Sequence, residues 1–219
     1  MQVRFSSLSR ISLRVIVAAT LLCLALHYYF PHGNERCLPS SISDVPIISV
    51  VVRTPPESYI FQTAAVVHCV AQCAIAVGFK EFVGNYAMRY ILFCAHLVAY
   101  VLLLITAVVP TGRLVEREAY YDWEDPVHAA AATLWFSLAG FCNTCYVWSK
   151  HRRVGWRSTW ADWLKLALAI LAMTVFGFSR AKTKQVYSCE WIAAALLLSL
   201  SHSVVMSELH GRTLVLAAV

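Results

Sequence analysis

Charge is scarce in this sequence. Asp, Glu, Lys and Arg make up 14% of the 219 residues, against about a quarter in soluble domains. With 59% apolar residues and a mean hydropathy of +0.63, the shortage excludes a water-facing surface and points to lipid as the solvent. Local catalytic signatures are also missing. There is no G-x-S-x-G elbow, H-E-x-x-H pair, P-loop or dinucleotide fingerprint, and no histidine is followed by Asp at His-x4-Asp spacing. No N-x-[ST] sequon marks a loop as lumenal. The 18 basic residues, for a net charge of +6, form no basic stripe. They fall between apolar segments as membrane loops require, so nucleic acid is excluded as a partner.

What is present is a series of apolar segments. A hydrocarbon core of about 30 Å takes about 20 helical residues, whose backbone groups must be satisfied within the helix. Six segments qualify, at residues 11–30, 59–78, 90–109, 127–148, 160–178 and 189–206. The fold class expected is an all-α, polytopic membrane bundle of six helices in one domain over residues 1–219. The second, third and fourth segments are the clearest, and Asp162 and Lys165 shorten the fifth. Arg4, Arg10 and Arg14 precede the first like a signal peptide, but His27-Tyr28-Tyr29-Phe30-Pro31 offers no cleavage site, so that helix is read as retained.

Orientation follows from basic residues in the short loops. With both termini cytoplasmic, that side holds Arg4, Arg10, Arg14, Lys80, Arg89, Lys150, Arg152, Arg153, Arg157, Lys165 and Arg212. The opposite side holds Arg36, Arg53, Arg113, Arg117, Arg180, Lys182 and Lys184. Of the eight cysteines, only Cys37 and Cys189 fall on the second, oxidising side. A disulfide between them is expected there, with two free thiols as the alternative. Cys142 and Cys145 share a helix face, which reads as small-residue packing.

Polar side chains at membrane depth face a bundle interior or a cavity. His68 and Gln72, His96, Asn143, and Ser199 with His202 are such groups on four different segments, and His128 stands at the entrance of the fourth. Interhelical hydrogen bonds account for them individually. Taken together they describe a polar cavity able to admit a lipid head group or ester, with His68, the deepest, as general base and His128 as a second candidate. A zinc site from His68, Cys69, Cys73 and His96 is conceivable, but nothing fixes these in tetrahedral geometry, so no metal and no cofactor is expected. Glu57 and Glu190 read as helix-end charges favoured by the dipole, and Trp148, Trp160 and Trp191 as an interfacial belt.

The elements Cys37-Leu-Pro-Ser-Ser-Ile-Ser43-Asp44 and Thr54-Pro55-Pro56-Glu57-Ser58-Tyr-Ile-Phe61 stand in the first long loop and at the start of the second helix. His128-Ala-Ala-Ala with Gly140 and Tyr146, and Cys189-Glu190-Trp191, follow later. On these the chain resembles the six-span Frag/DRAM/Sfk family. That family joins autophagy modulators to proteins that remodel the lipid of GPI anchors. Cys37, His68 and Cys189-Glu190 match positions of the GPI-remodelling branch, whereas Ser43-Asp44 and Pro55-Pro56-Glu57-Ser58 match the autophagy branch. The resemblance implies a protein of the Golgi or endoplasmic reticulum that transfers acyl groups to the GPI lipid or assists its maturation. Its partners would be membrane lipids and GPI-anchored proteins. The alternative it implies is a non-enzymatic regulator in the lysosome or plasma membrane.

Overall fold

The computed structural model describes residues 2–29, 48–52, 55–109, 124–154, 160–181 and 187–215. It is all-helical apart from one short ribbon, and it has six long helices. In chain order the elements are β1 (Gln2–Arg4), α1 (Phe5–Tyr29), α2 (Ile48–Val51), α3 (Glu57–Phe82), α4 (Tyr86–Val108), α5 (Glu124–Val154), α6 (Trp160–Ala181), α7 (Tyr187–Glu208) and β2 (Thr213–Val215). Each of the six expected segments falls on one long helix.

Among the described residues, four helices are long and apolar enough to cross a membrane: α1, α3 over Glu57–Lys80, α4, and α7 over Trp191–Glu208. The fourth expected segment, read as one of the clearest, is not among them. Its helix α5 carries His128, Thr133, Ser137, Asn143 and Thr144 along an otherwise apolar run, which lowers its mean hydropathy. The outward faces are those of helices dissolved in hydrocarbon. Large apolar side chains such as Leu21, Val70, Ile91, Val101 and Ile170 are exposed, Val70 at 66%, and a soluble bundle would bury them.

The helices pack mainly on their neighbours in sequence, α1 on α3, α3 on α4, α4 on α5 and α6 on α7. Contacts of α7 with α1 and α5 complete the bundle. One α1 face is built for close approach: Ser6, Ser9, Ser12, Ala19 and Cys23 are all buried. Where α3 passes the start of α1, Gly78 leaves room for the Phe5 ring and Leu209, to which an added Cβ would come within 2.9 Å and 3.1 Å.

Beyond these contacts the chain ends meet. β1 and β2 pair antiparallel with Val3 opposite Leu214, and Phe5 N–H donates to the Arg212 carbonyl at 3.2 Å. Gly211, at φ +78°, makes the turn out of α7 that brings β2 back. Both ends of the described chain therefore lie at one end of the bundle.

At that same end the charges read from sequence as shortening the fifth segment are paired. Lys150 on α5 lies 2.9 Å from both Asp162 on α6 and Glu208 on α7, and Lys165 lies 3.6 Å from Asp162. Lys165 also donates to Ser207 Oγ at 2.7 Å, and Ser207 donates to Glu208 at 2.8 Å.

Candidate functional site

The two histidines picked from sequence line one cavity of about 210 Å³ in the half of the bundle away from the paired termini. The helices that build it do so with their ends away from the chain termini: α3 begins there with Phe61 and His68, and α5 with His128, Ala132, Trp135 and Phe136. α4 ends there with Leu103 and Thr106, α7 begins with Trp191, Ala194 and Leu198, and α1 contributes Ile16 to Leu21. The short α2 closes one side with Ile48 and Val52, and Val51 beside them is fully buried against α1, α3 and α4. No Lys, Arg, Asp or Glu lines the cavity among the described residues.

His68 forms the inner wall. It is buried, 1% exposed, and α1 sets its orientation: Nδ1 meets Ser12 Oγ at 2.7 Å and the Ser12 carbonyl at 3.4 Å. A carbonyl only accepts, so contact with both oxygens assigns the proton to Nδ1, and Nε2 keeps a lone pair. Gln72, one turn along α3, donates to the same Ser12 Oγ at 3.4 Å. Nε2 of His68 has no hydrogen-bond partner, and neither has the buried Nε1–H of Trp135.

His128 stands at the other wall, in the first turns of α5, with Nδ1 2.8 Å from the carbonyl of Val109 at the end of α4. That bond ties the two helix ends together across the cavity mouth. The Thr20 and Thr106 hydroxyls are turned back onto the carbonyls of Ile16 and Leu102, at 2.7 and 2.8 Å, as buried helix threonines commonly are.

The other polar groups noted in the sequence join helices behind the cavity. Tyr146 and His96 approach to 3.4 Å, with the Tyr146 ring stacked on Phe79 at 4.0 Å. Asn143 donates to Ser201 at 2.8 Å, and His202 meets Ser9 at 2.8 Å. Tyr100 lies between His68 and His96, with ring centroids 5.6 and 5.0 Å away. For Gln72, His96, Asn143 and His202 the interhelical reading therefore holds. Ser199 faces outward instead. Cys69 donates its thiol to the Tyr100 carbonyl at 3.2 Å, and no metal-holding cluster forms among the described residues. Cys142 packs against α4, its thiol 3.8 Å from the Leu92 carbonyl.

Of the loop elements, Cys37, Ser43 and Asp44 lie outside the described residues. So do the side chains of Cys189 and Glu190, and with them the expected disulfide. Pro55 and Pro56 are exposed ahead of α3, while Glu57 and Ser58 are buried in its first turn, Glu57 completely. The Glu57 carbonyl accepts the Cys23 thiol at 3.3 Å, which holds this turn to α1. Trp148 and Trp160 are exposed at helix ends as a belt requires, at 50% and 77%. Trp191 departs from that reading, because the packing of α7 turns it toward the cavity wall.

Sequence reasoning missed Ser12 and Trp135. Ser12 is one small polar residue in the first apolar segment, and nothing beside it in the chain marks its hydroxyl as the group that holds His68. Trp135 sits in an apolar run and carries no local signal. No protein-family model, curated protein or solved structure matches this chain.

Proposed function

We propose that this chain is a six-span protein of the secretory membranes, with both termini cytoplasmic, that holds a membrane lipid in the cavity at His68 and serves in remodelling the lipid of GPI anchors. The observation that carries the reading is that His68 and His128, on separate helices, face one cavity whose described lining is apolar and carries no Lys, Arg, Asp or Glu. Such a space suits a hydrocarbon chain and its ester rather than an ion or a peptide. The Nε2 lone pair of His68 is the free base in that wall. The substrate class and the Golgi or endoplasmic reticulum residence come from the resemblance of Cys37, His68 and Cys189-Glu190 to the GPI-remodelling branch. The paired termini support an even number of crossings, and the basic residues support the cytoplasmic side.

A non-enzymatic regulator of autophagy or of lipid organisation, in the lysosome or plasma membrane, is the second reading. It is favoured by the orientation of His68 by a serine and not by a carboxylate. A catalytic histidine is usually held by an acidic group.

Deletion of the protein in its own host, with mass spectrometry of the lipid on purified GPI-anchored proteins, tests the first reading. A changed acyl chain or an accumulated lyso form is expected, reproduced by His68→Ala or His128→Ala at normal protein level. Unchanged anchors after deletion would sink the remodelling reading, and unchanged anchors in both variants would sink its catalytic form.

A further inference from the structure

The hydrogen-bonding groups of the cavity wall are mostly satisfied within the protein. The hydroxyls of Thr20 and Thr106 bond to their own helices and His128 Nδ1 bonds to Val109. His68 Nε2 and Trp135 Nε1–H remain, both buried and both without a partner. Buried polar groups are almost always bonded, so two orphans in the wall of one cavity call for an occupant that satisfies them.

The two are complementary. Trp135 can only donate, and His68, with its proton held on Nδ1 by the Ser12 oxygens, can only accept at Nε2. An ester carbonyl would answer Trp135 alone. A hydroxyl, or a carboxyl that keeps its proton, both accepts and donates. The described lining carries no Lys, Arg, Asp or Glu, so it offers an ionised group no counter-charge and favours a neutral one. The volume of about 210 Å³ is several times a water's share of about 30 Å³ and somewhat above the ~150 Å³ in which an apolar cavity holds benzene. It fits the end of one hydrocarbon chain and not a head group.

We propose that this cavity selects a neutral lipid end bearing a hydroxyl or undissociated carboxyl group, which donates to His68 Nε2 and accepts from Trp135 Nε1–H. The inference rests on the reading that the cavity houses a lipid. It names the chemistry recognised there, and Trp135 as a specificity-determining residue.

The test uses the full chain in detergent micelles and a hexadecanol probe carrying a mid-chain diazirine and a terminal alkyne. Photolabelling is expected on the lining segments 16–21 and 132–136. Competition by hexadecanol, palmitic acid, methyl palmitate and hexadecane then reads the selectivity. Hexadecanol or palmitic acid should compete about tenfold better than hexadecane, the worth of one or two buried hydrogen bonds. Methyl palmitate, which accepts but cannot donate, should fall between. Comparing the alcohol with the acid identifies the source of the group.

Trp135→Phe should abolish the advantage of the ester over the alkane, and His68→Phe that of the alcohol over the ester. Equal competition by all four compounds in the unsubstituted protein would overturn the proposal whether or not the variants fold. The same order persisting in both folded variants would overturn it as well. Equal competition alongside altered GPI anchors in the deletion strain would sink this selectivity and leave the remodelling reading. The expected order alongside unchanged anchors would do the reverse.

Discussion

Asp162 is 5% exposed and Lys165 7% exposed, and charges so placed hold only because each meets its opposite. Lys150 shows the balance. Burial works to lower its pKa, the contacts with Glu208 and Asp162 outweigh burial, and the net shift is upward. A lysine pKa raised on folding adds stability that is fully present below the ordinary lysine value and is lost only as pH rises through the raised one. Lys150 therefore keeps its charge, and with it its contacts to Asp162 and Glu208, throughout the neutral range. Removing one member is the costly change, because it leaves its partner charged and enclosed. Asp162→Asn is expected to destabilise the detergent-solubilised protein by about 3 kcal/mol, read as a lowered thermal midpoint. Asp162→Asn combined with Lys165→Met should recover part of that loss. A double variant no better than the sum of its two single changes would show that Lys165 does not depend on Asp162.

Helix against helix, two glycines mark where space is tight. At Gly78 an added Cβ meets the rim of the Phe5 ring, a stiff group anchored at the start of α1, and Leu209 on the other side. At Gly140 the atom in the way is the sulfur of Met173, 2.6 Å off, and a methionine end can swing aside. Gly78→Ala is therefore expected to cost about 1 to 3 kcal/mol and to loosen the α1–α3 contact. Gly140→Ala should cost less. Thermal midpoints of the two variants check the order, and a more damaging Gly140→Ala would mean that Met173 is held more firmly than a flexible side chain allows. The first glycine guards the packing of the helix that carries Ser12, and through Ser12 the orientation of His68.

For the whole molecule, the pairing of β1 with β2 places both chain ends on one side of the bundle. Epitope tags at the two termini should therefore behave alike: on sealed vesicles from cells, protease should remove both or neither. Removal of one and protection of the other would break the even-numbered arrangement. With the termini on the cytoplasmic side, as proposed from the basic residues, selective permeabilisation of the plasma membrane should expose both tags to antibody.

Much of this architecture is legible in the sequence. The positions of the six long helices follow from apolar length and need no knowledge of partners, since a chain in lipid must close its backbone hydrogen bonds within each segment. The depth of His68 and the entrance position of His128 follow from their places along those segments. What the sequence could not contain is which faces meet, because contacts between α1 and α3, or between α7 and the chain start, join residues far apart along the chain and depend on the packing of the whole bundle. Asp162 and Lys165 therefore read as a weakness of one segment, although packing joins them to Lys150 and Glu208. The role of Ser12, the inward turn of Trp191 and the orphaned nitrogens of His68 and Trp135 were decided by tertiary structure alone. Hydropathy fixes how deep a residue lies in lipid, whereas its hydrogen-bond partner is fixed by the helix that happens to lie opposite.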